Sequence, residues 1–240
     1  MTFADRHGLT PRRITGSAGE IHERPMEAVP LLEVVQLTRP AVVLGSAQRD
    51  VDVDATASAA AGSPDLVRRR GGGGAVWVAP DAGWWFDVTV PRGDARWSDD
   101  VGAAFLWLGD ALARWLDDLG LRPGVGLEVH RGSLVTSPWS SAVCFAGVGP
   151  GEVLVGGRKL VGISQRRTRD AARFMCWMPR VWAATPLDGL VLTAADLRVA
   201  APELGRAGIG WDEVAAAPTS TVDPGTSDPI VEALIGSATA

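Results

Sequence analysis

The chain has 240 residues, 46% of them hydrophobic and 21% charged, which is enough apolar sequence for the core of one large domain or two small ones and excludes disorder as the main state. Its formal net charge of −5 argues against a protein that lives on nucleic acid or on an anionic membrane surface. Two cysteines, Cys144 and Cys176, form neither a disulfide framework nor a cluster with metal-ligand spacing, so no metal and a reducing, cytoplasmic location are expected.

Residues 1–26 are polar and charged without a period and lack the apolar run of a secretory signal, so they read as a loosely packed lead-in. The apolar stretch Leu31–Leu37 is too short to assign between helix and strand, whereas Ala41–Leu44, after Pro40 and before Gly45, reads as a buried strand. Ala-rich residues 51–64 suit a helix closed by Gly62, Ser63 and Pro64. Four glycines, Gly71 to Gly74, then separate the basic triplet Arg68 to Arg70 from an apolar run, Ala75 to Val78. A second run follows at residues 85–90, where Phe86, Val88 and Val90 alternate with Asp87 and Thr89, and the two together suggest a hairpin.

Between Ser98 and Gly120, apolar residues recur at three and four positions (Val101, Phe105, Leu108, Leu112, Trp115, Leu119), the stripe of an amphipathic helix with Ser98 as its cap. Strands are expected at 126–130, 142–145, 153–155, 160–164 and 174–178, and helices at 194–204 and 230–235. A Pro- and Thr-rich linker is expected at 217–228. No stretch approaches the roughly 20 apolar residues of a membrane span.

Of the 23 basic residues, 22 are Arg and one is Lys159, which follows Gly156, Gly157 and Arg158 at the start of an apolar strand. A compact ammonium differs from a planar guanidinium where it must meet a single carboxylate or carbonyl oxygen, which makes Lys159 the first candidate for chemistry; the competing reading is a lone survivor of an Arg-biased composition. The bare N–H groups of Gly71 to Gly74 suit an anion-binding concavity beside three arginines, and equally suit a flexible bend. They form neither a nucleotide-binding Gly-Lys-Ser/Thr loop nor a dinucleotide fingerprint.

Taken in order, Gly45-Ser46-Ala47-Gln48, then Arg68-Arg69 with Gly72-Gly73-Gly74-Ala75-Val76, then Cys144-Phe145, then Gly157-Arg158-Lys159-Leu160-Val161-Gly162 with Gln165-Arg166-Arg167, resemble the lipoate–protein ligase and octanoyltransferase family, related to biotin–protein ligases. The resemblance spans residues 40 to 180. It implies an α/β (α+β) fold, a mixed and largely antiparallel sheet flanked by helices, with a catalytic domain over 27–215 and a linker with a short helix over 216–240. It implies attachment of lipoate or octanoate to a lysine of a lipoyl carrier domain or glycine-cleavage carrier protein. Lys159 would hold the acyl oxygen, and Arg69, Gly72, Gly73, Gly74, Ala75, Gly157 and Gly162 would lie against substrate, with apolar walls from Val43, Val76 and Val161.

Cys144 divides two routes within the resemblance. Family transferases that draw octanoate from acyl carrier protein form a thioester on a cysteine at this Cys-Phe position, and Glu152 stands where their acidic residue does; family ligases use ATP and Mg²⁺ and make an acyl-adenylate. The chain departs from the pattern where a His-Asp pair and then an Asn follow the glycines (here Trp77-Val78-Ala79-Pro80 and then Gly83-Trp84-Trp85) and where a later His-Gly pair falls on Met175-Cys176. Those departures leave a second reading, a non-catalytic binder of a fatty-acyl or cofactor-like ligand. His22 and His130 lack partners in sequence and read as surface or core histidines, and Trp84 and Trp85 as residues able to shape a pocket end.

Overall fold

A computed structural model describes residues 1–187, 189–217 and 228–237. In chain order the elements are α1 (Phe3–His7), β1 (Thr10–Gly16), α2 (Ala18–Glu23), β2 (Leu31–Leu37), β3 (Ala41–Leu44), α3 (Ala55–Ala60), β4 (Asp65–Arg68), β5 (Val76–Val78), β6 (Gly83–Pro91) and α4 (Leu106–Leu119). They continue with β7 (Glu128–Val129), β8 (Val153–Val155), β9 (Arg158–Arg167), β10 (Ala171–Pro179), α5 (Ala194–Ala207), α6 (Trp211–Val214) and α7 (Pro229–Ile235). A seven-stranded sheet runs β1-β2-β6-β10-β9-β8-β7 and is antiparallel except for β1 beside β2. A three-stranded sheet runs β4-β3-β5.

The fold class expected from the sequence is therefore the one found: a mixed, largely antiparallel sheet with helices packed on it. One face of the large sheet, with Phe86, Val88, Phe174 and Met178, packs on Leu108, Leu112 and Trp115 of α4, on Phe3 of α1, and on Trp211 and Leu234. The opposite face, with Val35, Trp85 and Trp177, packs on Ile21 of α2 and on Val43 and Val78 of the small sheet. The outer face of the small sheet, with Val42 and Leu44, is covered by Leu187, Leu190 and Leu204. The small sheet is thus enclosed on both sides, and the space between the two sheets is where a site can form.

Several local expectations are corrected. The polar residues of 1–26 serve as caps: Thr2 with Asp5, and Ser17 with Glu20, close the first turns of α1 and α2, and Phe3 is buried edge-on to Trp115 at 5.8 Å. Leu31–Leu37 is a strand because it joins β1 and β6 in register. The expected hairpin of β5 and β6 does not form; β5 pairs with β3, whereas β6 lies between β2 and β10 in the large sheet. Both faces of β6 are buried, Asp87 and Thr89 included, as a central strand covered on two sides requires. The helix expected from Ser98 starts at Leu106 after a 3-10 turn whose Ala103 N–H donates to Asp100, so Asp100 does the capping expected of Ser98. The expected helix over 51–64 contracts to α3, capped by Asp54. Residues 142–145 make one bridge, Ala75 to Val143, and turn into a 3-10 segment at Cys144–Ala146. Most of the expected linker, residues 218–227, lies outside the described residues.

Candidate active site

The glycine bend is a packing device. Where β3 ends, a Cβ on Gly45 would stand 1.8 Å from the Gly73 carbonyl oxygen, and a Cβ on Gly74 would stand 2.4 Å from the Val143 nitrogen, so only glycine permits these two backbone approaches. Gln48 fixes the first turn, accepting from Gly45 N at 2.9 Å and donating to the Ala142 carbonyl at 3.2 Å. Arg69, 4% exposed, donates to the carbonyls of Val43, Gly72 and Gly74. Its guanidinium closes the loop from inside, which a hydrated surface cation could not do. Ala75 N donates to Ala142 O and Cys144 N to Ala75 O, tying the bend to the segment that carries Cys144.

Lys159 reaches the same segment from β9. Val155 pairs with Arg158, so Gly156 and Gly157 form a two-residue hairpin, and both have positive φ (53° and 76°), as a type I′ turn demands. A bulge at Val153 and Leu154 sets Lys159 opposite Leu154. The Lys159 side chain is 2% exposed; Nζ lies 2.7 Å from Glu152 Oε2 and donates to the Cys144 carbonyl at 2.9 Å, with the Phe145 ring centroid at 5.3 Å. Glu152 is itself fixed, Oε2 accepting from Gly149 N at 2.7 Å and Oε1 from Ile163 N at 3.2 Å. Both charges are buried and matched, the condition under which such a pair is tolerated. Two of the three ammonium N–H groups are thereby used, and among the described residues no further acceptor takes the third.

Cys144 faces an almost wholly apolar slot between the sheets, whose walls include Val43, Val76, Val78, Trp85, Phe145 and Trp177, with Arg69 and Gly162 in the lining and His22, Ser164 and Met175 at its sides. A thiol at the wall of an apolar slot, with a buried ammonium on its own carbonyl, is an arrangement suited to holding an acyl chain and reacting at its carbonyl end. The described residues contain no group of three or more side chains able to hold a metal ion. No helix among them is long and apolar enough to cross a membrane.

The model of the lipoyl protein ligase A/B catalytic domain matches residues 21–191. The chain belongs to this family. A bi-partite lipoate protein ligase from Thermoplasma acidophilum, solved in work on that ligase and its E2 lipoyl domain, superposes with a TM-score of 0.60 at 17% identity, covering 93% of this chain and 79% of the other. A lipoate-protein ligase A bound with ATP gives 0.60 at 16% identity, covering 93% and 81%. A T. acidophilum protein with bound lipoic acid gives 0.52 at 16% identity, covering 83% of each chain. No curated protein matches the chain.

Within this lipoyl ligase domain, Cys144, Arg69 and Gly162 meet at the slot, and Lys159 adjoins it through the Cys144 carbonyl and the Phe145 ring. Gly72, Gly73, Gly74 and Ala75 do not line it: Gly73 faces the Arg69 guanidinium, Gly74 packs on the Ala142–Val143 backbone, Ala75 is buried, and Gly72 has open space around it. Gly157 serves the β8–β9 turn, away from the slot. Of the expected apolar walls, Val43 and Val76 line the slot, while Val161 belongs to the core on the other face of the large sheet.

His22, which has no partner near it in sequence, also lines the slot; α2 presents it against Trp85, ring centroids 5.1 Å apart. Burial, then Arg69, Arg173 and Arg166, push the His22 imidazole down to about 4, so it is neutral at physiological pH. Asp87 on β6 accepts from Trp85 Nε1 at 2.7 Å, and burial pushes its carboxyl up to about 7. Cys176 lines the slot as well, but burial raises its thiol and holds it neutral.

Proposed function

We propose that this chain transfers an octanoyl or lipoyl group to a lysine of a lipoyl carrier domain through a thioester on Cys144. The carrying observation is the Cys144 thiol at the wall of an apolar slot, with the Lys159 ammonium bonded to the carbonyl of the same residue. The slot suits an aliphatic chain, which gains by leaving water at about 0.8 kcal/mol per methylene. Attack of the Cys144 thiolate on a donor carbonyl builds negative charge on oxygen, and the third Lys159 N–H, preset by Glu152 and needing no reorganisation, is the donor for it. Collapse expels the donor's leaving group; the carrier amine then forms the amide and releases Cys144.

The donor in this reading is an acyl thioester, as acyl carrier protein supplies, and ATP is not consumed. The related ligase solved with ATP keeps the alternative donor, free lipoate with ATP and Mg²⁺, within the test. Incubating the protein with a lipoyl carrier domain and octanoyl-acyl carrier protein, with and without ATP, and weighing the carrier by mass spectrometry decides between them. The expected result is octanoylation without ATP. Octanoylation only with free acid and ATP overturns the thioester route, and an unmodified carrier under every donor condition favours a non-catalytic acyl binder.

A further inference from the structure

A second cavity, of about 280 Å³, adjoins the acyl slot and shares with it the walls Val76, Phe145 and Trp177. Its remaining walls include the indoles of Trp77 and Trp182, and Trp182 is stacked on Phe145 with centroids 4.5 Å apart and planes 15° from parallel. Two charged residues line it. Arg180 is committed, its guanidinium 3.0 Å from Asp228 Oδ2 and 4.4 Å over the Trp84 ring, with Nε donating to the Asp81 backbone carbonyl at 3.2 Å. Asp81, half a turn before β6, has φ = 60°, which Asp tolerates better than most residues, and its carboxylate has no ion-pair partner among the described residues.

An aromatic chamber whose one uncommitted charge is a carboxylate selects for a cation: indole faces attract ammonium groups, and the carboxylate adds directional attraction. A large planar ligand would have to open the Phe145–Trp182 stack. The ligand that fits both chamber and charge is a slender alkyl chain ending in a primary ammonium.

We propose that this chamber is the channel by which the acceptor amine, a lysine side chain, reaches the acyl group on Cys144. The proposal rests on the acyl-transfer reading above and names the acceptor route that the reading lacks. The methylenes lie along Trp77, Trp177 and Trp182, and Asp81 draws the ammonium in. On arrival the ammonium releases one proton to water, the free amine bonds to the acyl carbon, the carbon–sulfur bond to Cys144 breaks, and the second amine proton restores the thiol.

The test compares two acceptors on protein already acylated at Cys144. Nα-acetyl-lysine methylamide is cationic and needs the channel; hydroxylamine is small and uncharged. The proposal predicts that Asp81→Asn lowers the ratio of lysine to hydroxylamine discharge rates about tenfold, roughly what a loss of 1.4 kcal/mol at the lysine produces, and that Asp81→Glu restores most of it. An unchanged ratio overturns the proposal. A second arm needs no acyl transfer: n-pentylammonium should quench the tryptophan fluorescence of the wild type where 1-pentanol does not, and Asp81→Asn should lose the difference. Equal quenching by the two overturns the channel, while ammonium-selective quenching in a protein that never acylates Cys144 leaves the channel standing and removes the thioester reading.

Discussion

Lys159 shows what one residue can disclose and what it withholds. Its singularity among 23 cations is visible in the sequence, because a composition so biased to Arg makes the exception conspicuous. Its partner is not visible: Glu152 lies seven residues away and meets it only because a Gly-Gly turn and a bulge fold β8 back on β9. His22 and Asp87 were beyond reach for a related reason, since each acquires its character from burial by α2 and the two sheets. Their proton linkages oppose each other. His22, lowered from 6.5 to about 4, adds stability above pH 6.5 that is lost as pH falls through 4; Asp87, raised from 3.8 to about 7, adds stability below pH 3.8 that is lost as pH rises through 7. Between pH 4 and 6.5 the unfolded chain carries its proton on His22 and the folded chain carries it on Asp87, so the two slopes cancel. In His22→Gln only the Asp87 slope remains, and denaturant titrations should show its stability falling relative to wild type between pH 4 and 6.5, at up to about 1.4 kcal/mol per pH unit. A parallel pair of pH profiles would refute this linkage.

At the scale of elements, period and punctuation served where one element decides its own form. The stripe of α4, the strands β8, β9 and β10, and the turn at Gly156 and Gly157 are all local. They failed where partner choice decides, as in β5 and β6, which read as a hairpin and are divided between two sheets. The four-glycine bend carried both lessons, since the sequence marks it and only the approach of Gly45 to Gly73 and of Gly74 to Val143 explains it. Gly45→Ala should therefore destabilise the protein by at least the 1–3 kcal/mol typical of overpacking, because the added methyl meets the Gly73 carbonyl, which sits between the Gly72 and Gly74 carbonyls that Arg69 holds. A thermal-melt or denaturant midpoint equal to wild type would show that the bend yields freely and does not fix the slot.

For the molecule as a whole, the order of motifs along the chain was enough to indicate the fold, because the β3 turn, the glycine bend and the Cys144 segment mark where the small sheet is tied to its neighbours, and the β8–β9 turn sets Lys159 against the Cys144 segment. Residues 1–26 look like a loose lead-in from sequence because their polar side chains are spent on capping, while few apolar residues, Phe3 and Ile21 among them, anchor the segment. Phe3→Ala should cost about 3–5 kcal/mol, as truncation of a fully buried aromatic does, and a loss below 1 kcal/mol would show the N-terminus to be an appendage.

The central claim is that these junctions assemble a nucleophilic Cys144 supported by Lys159. It is tested most directly by intact-mass measurement of the protein after brief exposure to an octanoyl thioester donor, comparing wild type, Cys144→Ser and Lys159→Arg. The account predicts one octanoyl group on wild type, none on Cys144→Ser, and loading slowed about 10²- to 10³-fold in Lys159→Arg through loss of the preset donor. A wild type that stays unmodified, or a Cys144→Ser variant that loads as fast as wild type, would contradict it.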